Sequence, residues 1–305
     1  MSQETALLVG ETIMDVVCRA GAEPAEHPGG SPLNVAVGLG RLGRHVVLDT
    51  WMGEDERGKR VVEHLSASRV ELAPGSTGAP RTSTSRAAID ADGRAEYTFD
   101  LLCAVPPIPV GLAPVVAHTG SVASVLPDSA DAVFSAVASV RDTATICYDP
   151  NIRAGVLDDS ARLVFLAERL IGQADVVKAS DEDLAALYPA SPPQESARRW
   201  ARCGPAVVVL TRGPEGSVAH TCDGRQFATG VSPGVVVADT VGAGDSLMAG
   251  LIHALWSEGL LGAARREALR AADDEAWRRV LALAARVAEI TVSRAGADPP
   301  WLAEL

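Results

Sequence analysis

Alternating strand and helix patterns from residue 115 onward constrain the fold of this chain more than any other feature. Short runs of apolar and β-branched residues predict buried strands, and longer stretches with apolar residues every three or four positions predict helices. Because strands and helices alternate along this region, the order favours a mostly parallel sheet with helices on both faces. The strands are predicted at 115–120, 145–149, 175–179 and 206–211, and the helices near 128–141, 159–172, 181–187 and 194–203.

The first third of the chain predicts further elements. Residues 5–10 form a buried strand, and residues 33–42 form a helix with Ser31 as its N-cap and Pro32 as its first helical residue. The alternating segments 81–89 and 94–101 flank the turn sequence Asp-Ala-Asp-Gly and predict a polar hairpin that stands off the core.

The segment Asp239–Ser246 reads Asp-Thr-Val-Gly-Ala-Gly-Asp-Ser and is the most informative motif. It is predicted to join a buried strand over Val235–Ala238 to a mostly apolar helix over 247–256. Glycines let the backbone approach a ligand, and the free N–H groups of a helix N-terminus favour phosphate or another anion. The N–H groups in question belong to Gly242, Ala243 and Gly244.

Asp245 lies inside this predicted anion site. A carboxylate beside a bound phosphate repels it unless the charge has a task, and accepting a proton from an attacking hydroxyl is such a task. The local sequence leaves an alternative open, in which Asp245 only caps the helix and the glycines form a plain turn.

The motif resembles the C-terminal signature of the ribokinase-like (phosphofructokinase-B type) carbohydrate kinases. The resemblance implies that Asp245 is the catalytic base and that the Gly242–Gly244 amides form the anion hole. It also implies one domain over residues 1–305, with a three-layer α/β/α core, a mostly parallel central sheet and a small β-lid. The lid would comprise residues of about 12–28 and 81–105 and would cover a sugar. A second role of the lid, as a contact between two subunits of a homodimer, is left open.

Two further segments resemble sugar-binding motifs of that family. Gly-Gly-Ser-Pro-Leu-Asn at 29–34 resembles the N-terminal signature in its fructokinase variant. Asp-Pro-Asn-Ile-Arg at 149–153 resembles a fructokinase and ketodeoxygluconate kinase pattern, which implies that Arg153 lies near the sugar or the transferring phosphate. The implied ligands of the sugar hydroxyls are Asp15, Gly29, Gly30 and Asn34.

The same resemblance implies a site for ATP, Mg²⁺ and a monovalent cation such as K⁺. Where the family shows Asn-x-x-Glu, this chain has Ser180 and Asp183, and we expect Asp183 to act on magnesium through bound water. Ser180 also fits a capping box with Asp183. Asp239 is the candidate for the monovalent cation. The nucleotide-binding candidates are Ser180, Thr211, Gly213 and Gly216.

The composition of the chain argues against two classes of binding partner. The net charge of −12 and the absence of a Lys/Arg cluster argue against nucleic acid or an anionic membrane. The polar start of the chain does not resemble a signal peptide, and no apolar run is long enough for a bilayer, so a cytoplasmic location is expected.

The sequence therefore predicts an ATP-dependent sugar kinase that lacks a P-loop, with fructose as the leading substrate. Ketodeoxygluconate, ribose and nucleosides remain open as alternative acceptors. A sugar- or nucleotide-binding regulator without catalysis is the remaining alternative, although such a protein would have no need of Asp245.

Overall fold

The computed structural model describes residues 4–19, 23–89, 95–109, 111–153, 155–157 and 159–305. Its elements follow the alternation that the sequence predicts. The strands are β1 (Thr5–Val9), β2 (Ile13–Arg19), β3 (Ala25–Gly29), β4 (His45–Asp49), β5 (Val70–Leu72), β6 (Ser83–Ile89), β7 (Ala95–Asp100), β8 (Val116–Gly120), β9 (Thr145–Asp149), β10 (Val176–Ser180), β11 (Val207–Thr211), β12 (Ser217–Thr221) and β13 (Gln226–Thr229). The helices are α1 (Ser31–Arg41), α2 (Glu56–Ala67), α3 (Ala130–Val140), α4 (Ser160–Ile171), α5 (Asp181–Leu187), α6 (Pro193–Ala201), α7 (Ala243–Ser257), α8 (Arg266–Arg270) and α9 (Asp274–Val292).

The larger sheet has the order β13-β12-β11-β10-β9-β8-β1-β4-β5. It is parallel from β5 to β11, and only β12 and β13 run antiparallel to their neighbours. Residues on alternate sides of each strand pack into two apolar layers. Helices α1, α7 and α9 cover one face, and α3, α4 and α6 cover the other. The predicted three-layer α/β/α fold is thereby confirmed.

The smaller sheet has the order β3-β2-β6-β7 and contains strands from both segments that are predicted as the lid. Strands β6 and β7 pair antiparallel, as the alternating pattern predicts, while the Asp-Ala-Asp-Gly turn between them lies outside the described residues. Glu26 of β3 forms ion pairs with Arg57 and Arg60 of α2, which tie this sheet to the core.

Because parallel strands end at one edge of a sheet, β1, β8, β9, β10 and β11 present their carboxyl ends together. The next residues after β8 and β9 include Ser121 with φ 55° and Asn151 with φ 40°. Such left-handed backbone is costly for residues other than glycine and concentrates at functional sites. This edge is therefore where a site is expected.

The predicted strand over Val235–Ala238 is wrong. The segment forms no strand, and Val236 and Val237 are 77% and 58% exposed. The N–H groups of Ala238 and Asp239 donate instead to the carbonyl of Val292 at the end of α9. The apolar run is therefore an irregular connection into α7, because it reaches the end of a helix rather than a free sheet edge.

A buried carboxylate in α9 holds the irregular connection that precedes α7. Glu289, a carboxylate in α9, is 7% exposed and accepts a hydrogen bond from the N–H of Ser232 at 2.6 Å. It anchors the irregular connection to α9.

No helix among the described residues has the length and apolar character needed to cross a membrane.

Candidate active site

The N-terminus of α7 forms the floor of the candidate anion site. Gly242 is the N-cap with φ 75°, a conformation that glycine adopts without strain, and no side chain among the described residues caps the helix. The Ala243 N–H donates to the carbonyl of Thr240 at 3.2 Å. In the part of the chain that the structure describes, the N–H groups of Gly242 and Gly244 have no acceptor, so they are available to an anion.

Asp245 connects this helix end to α1. Its Oδ1 accepts a hydrogen bond from the Ser31 hydroxyl at 2.6 Å, and its Oδ2 accepts one from Asn34 Nδ2 at 2.8 Å. The side chain is not the cap of its own helix. Two donors on two oxygens hold the carboxylate in one orientation beside the free amides.

The position of Ser31 corrects a sequence prediction. Gly30, with φ 107°, is the N-cap of α1, and Ser31 is the first helical residue. The Ser31 hydroxyl is therefore free to reach Asp245, 214 positions away in the chain. The capping preference of serine favoured Ser31 as the N-cap, but its hydrogen bond to Asp245 places it inside the helix instead.

Asp15 lies against the paired glycines of the same region. A Cβ on Gly29 would lie 2.1 Å from Asp15 Oδ2, and one on Gly30 would lie 2.7 Å from the carbonyl of Glu11. Both glycines are therefore required by close approach. Burial raises the pKa of Asp15, and the charge of Asp245 adds to this effect. The Ser85 hydroxyl, Arg153 and His27 oppose it.

Glu11 is a site residue that the sequence analysis missed. It is 4% exposed, and its Oε2 accepts a hydrogen bond from the N–H of Ala123 at 2.9 Å. Burial raises the pKa of Glu11, against the Ser121 hydroxyl and the charge of Arg153. Its place directly after the first strand was the available signal, because ligands of open α/β sheets bind at the carboxyl ends of the strands. Arg153 itself is exposed, and its positive charge acts on both Glu11 and Asp15.

A buried ion pair lies beneath the anion site. Lys178 Nζ donates to Asp149 Oδ2 at 2.6 Å, and both side chains are at most 5% exposed. A Cβ on Gly244 would lie 2.8 Å from that Nζ, so the ammonium packs directly against the first turn of α7. The sequence analysis quoted Asp149 within a motif but assigned neither residue a role.

The charges around this pair are coupled. Burial alone would lower the pKa of Lys178, but Asp149, Asp183 and Asp245 raise it above its ordinary value. Burial raises the pKa of Asp149 to about 6, although the charge of Lys178 opposes the shift. Lys178 therefore stays protonated at neutral pH.

Ser180 and Asp183 form the predicted capping box at the start of α5. Asp183 Oδ2 accepts from the Ser180 N–H at 2.8 Å and from its hydroxyl at 2.6 Å. Asp183 Oδ1 accepts from the Ile152 N–H at 2.7 Å, which fixes the turn after β9. Three of about four lone-pair positions of this carboxylate are thus occupied.

The nucleotide candidates lie at the end of the neighbouring strand. Thr211 pairs in register with Ser180, at the end of β11. Gly213 has φ 51° and Gly216 has φ 81°, and a Cβ on Gly216 would lie 2.1 Å from the carbonyl of Thr229. The structure places these three residues along the carboxyl edge, without a described contact to Asp245.

Asp239 joins two loops beside α7. Its oxygens accept from the N–H groups of Val241 at 3.0 Å and Gly296 at 2.9 Å. These bonds lower the pKa of Asp239, the Val241 N–H contributing most, so the carboxylate is charged at neutral pH. No cluster of three or more His, Cys, Asp or Glu that could hold a metal ion occurs within the described residues.

The geometry unites a fixed carboxylate, free helix-end amides and a buried ammonium at one sheet edge, with polar residues of α1 and β2 on one side. Such a set can deprotonate a hydroxyl and stabilise charge on phosphoryl oxygens, which are the requirements of phosphoryl transfer. The fold and site therefore define a phosphotransferase built on an α/β/α core. The chain belongs to the pfkB family of carbohydrate kinases, whose model matches residues 3–304.

Similar proteins agree with this assignment. The chain is 32% identical to the fructokinase of Rhizobium leguminosarum bv. trifolii over 268 residues, which cover 84% of this chain and 81% of the relative. Two solved structures share the fold. The fructokinase of Xylella fastidiosa with bound ATP has a TM-score of 0.80 at 21% identity, over 96% of this chain and 93% of that one. A fructokinase double mutant from Vibrio cholerae O395, with fructose, ADP and potassium ion bound, has a TM-score of 0.75 at 23% identity, over 97% and 94%.

Proposed function

We propose that this protein transfers the γ-phosphoryl group of ATP to a hydroxyl of a sugar, and that the sugar is fructose. The observation that carries the proposal is the position of Asp245, held by Ser31 and Asn34 of α1 next to the free amides of Gly242 and Gly244. Asp245 would then act as a base between a group of polar side chains that suits a sugar and an anion site that suits a phosphate.

The proposed reaction follows from that position. Asp245 accepts the proton of the attacking sugar hydroxyl, and the helix-end amides bind the oxygens of the transferring phosphoryl group. Asp15, Asn34 and Arg153, with the backbone at Gly29 and Gly30, bind the other sugar hydroxyls. Thr211, Gly213, Gly216 and Ser180 lie along the edge where ATP would extend. The fructokinase names of the relatives favour fructose among the acceptors.

Magnesium fits this site through the nucleotide rather than through a protein cage. Mg²⁺ in such sites keeps several waters and binds one or two carboxylates plus substrate phosphates, and here it would neutralise phosphate charge. Asp183 has one lone-pair position left for a metal-bound water, since its other bonds go to Ser180 and Ile152. Asp239 remains our candidate near a monovalent cation, K⁺ in particular.

Replacing Asp183 tests this assignment. Asp183→Asn should raise the magnesium concentration for half-maximal rate, because the neutral amide accepts a bond from metal-bound water less strongly. It should also lower stability, since it exchanges an acceptor for a donor at a bonded position. The matched control is Ser180→Ala, which removes the cap at a cost of about 0.5–2 kcal/mol without removing the charge. If both variants melt earlier but keep the wild-type magnesium dependence, Asp183 is structural only.

Replacing Asp15 tests the sugar side. Asp15→Ala should weaken sugar binding with little effect on ATP binding, because sugar hydroxyls in a closed site lose their acceptor. Calorimetry with each ligand separately measures the two affinities. Equal losses for both ligands would show that the residue supports the fold rather than the sugar.

The smaller sheet is proposed to cover the bound sugar and to form a homodimer contact. Its β3 edge is attached to α2 through the ion pairs of Glu26 with Arg57 and Arg60. Hydrogen exchange of β6 and β7 amides with and without sugar tests the cover, and sedimentation velocity tests the dimer. Unchanged exchange at sugar saturation would argue for a fixed element.

The proposed substrate is tested by kcat/KM over a panel of fructose, ribose, ketodeoxygluconate and nucleosides, with ADP release as the signal. The proposal expects the highest value for fructose. A higher value for another acceptor would move the assignment to that acceptor, and no turnover with any acceptor would favour the catalytically inactive regulator.

A further inference from the structure

The ion pair of Lys178 and Asp149 differs from an ordinary structural pair in where it lies. Both residues are at or near the carboxyl ends of neighbouring strands, β10 and β9, and their side chains face the layer that contains α7. The Nζ of Lys178 packs against Gly244, whose missing Cβ would lie 2.8 Å from it. A positive charge is thus fixed directly beneath the helix end that has free N–H groups.

The pair is also incompletely satisfied. An ammonium carries three donors, and within the described residues Lys178 Nζ makes one hydrogen bond, to Asp149 Oδ2. Asp149 Oδ1 is buried and has no described partner. A pair that served only to join two strands would be expected to satisfy these atoms, because unsatisfied buried polar atoms are costly.

The molecule contains such a structural pair for comparison. Asp175, just before the opposite end of β10, accepts from Arg266 Nε at 2.9 Å and from the N–H of Ile146 at 2.9 Å. Arg266 also donates to the carbonyls of Arg141 and Ala144. Both oxygens of Asp175 accept hydrogen bonds, and this pair lies at the amino end of the strands, away from the candidate site.

Charge balance gives the Lys178 ammonium a task. Three carboxylates, those of Asp149, Asp183 and Asp245, act on Lys178 electrostatically. Their combined charge would repel a nucleotide's phosphates from the very amides that are free to bind them. One buried cation at short range opposes this repulsion strongly, because water screens it little.

We propose that Lys178 is a positioning residue of the anion site: its ammonium, held by Asp149 beneath Gly244, supplies the positive charge that allows a phosphate to bind beside three carboxylates. The inference rests on the proposed function for the identity of the anion, a nucleotide phosphate. It adds a residue that acts through the helix end and the local field, without a bond to the sugar.

The test uses a double variant so that no unpaired charge is left buried. Lys178→Met alone strands Asp149 and is expected to destabilise the fold, whereas Lys178→Met with Asp149→Asn removes both charges, an exchange that is often tolerated. The matched control is Arg266→Met with Asp175→Asn, which removes the structural pair at the other end of the sheet. The melting temperature of each protein is measured first, and the assays are run at a temperature at which all of them are folded.

The readout is the ratio of ATP affinity to adenosine affinity, measured by calorimetry without sugar. The double variant removes one positive and one negative charge, so the net charge of the site stays the same, but it removes the positive charge that lies directly against Gly244. It should therefore lose roughly 10- to 100-fold in ATP affinity and about 10²-fold in kcat, comparable to loss of one anion-site donor, with adenosine affinity unchanged. The control pair should change neither ratio nor kcat. Wild-type ratio and kcat in the double variant would overturn the inference and make Lys178 structural. Wild-type turnover of a sugar tests the proposed function separately.

Discussion

Asp245→Asn should lower kcat by roughly 10²–10⁴, the usual contribution of a general base, while fructose and ATP affinities change far less. The reason is geometric. Both oxygens of Asp245 already accept bonds, from Ser31 and Asn34, so the carboxylate is oriented before substrate arrives. An amide keeps the shape of the site but cannot accept the proton of an attacking hydroxyl.

A helix-cap control separates chemistry from folding in this experiment. Asp159 is the N-cap of α4, where its side chain accepts from the Arg162 N–H at 2.9 Å. Asp159→Asn should cost little in stability and leave kcat unchanged. If Asp245→Asn retains near-normal kcat, or loses activity only in proportion to its folded fraction, Asp245 is not the base.

Asp49→Asn should stabilise the protein at pH 8 much more than at pH 5. Asp49 ends β4, is fully buried, and has no described partner for either carboxylate oxygen. Burial raises its pKa to about 7. A raised folded-state pKa means that its neutral form favours folding below about pH 4, and that this contribution is lost as the pH rises through about 7. The asparagine never ionises, so the variant escapes the loss.

The expected size of that difference is a few kcal/mol, at about 1.4 kcal/mol per unit of pKa shift. Urea unfolding of both proteins at pH 5 and pH 8 measures it. Asp223→Asn is the control, since Asp223 is exposed and its pKa is lowered by the Thr221 hydroxyl. An equal change in stability at both pH values for Asp49→Asn would show that the carboxylate has a favourable interaction in the folded state.

Periodic patterns predicted most of the fold. The strand at 145–149 and the helix at 181–187 have the predicted bounds, because the strand is a fully buried run and the helix begins at the capping box of Ser180 and Asp183. The strand predicted over Val235–Ala238 is wrong, although four apolar residues after a glycine resemble a strand. Whether such a run joins a sheet depends on a free edge, and that is set by residues far away in the chain.

The site was predictable where a motif carried it and less so elsewhere. Asp245 and Asn34 were identified from their motifs, and the structure brings them within hydrogen-bonding distance. The bond from Ser31 and the contact between Lys178 and Gly244 arise only when separate strands and helices are packed. Local sequence carries propensities for caps and strands, but it carries no direct information on such long-range contacts.

Phosphorus NMR of the protein with fructose, ATP and magnesium tests the central claim most directly. The account expects the γ-phosphorus signal of ATP to be replaced by that of a sugar phosphate monoester, one for each ADP formed. It also expects Asp245→Asn to leave the ATP signals unchanged over the same interval. Unchanged ATP in the wild-type reaction, or inorganic phosphate in place of the sugar ester, would contradict it.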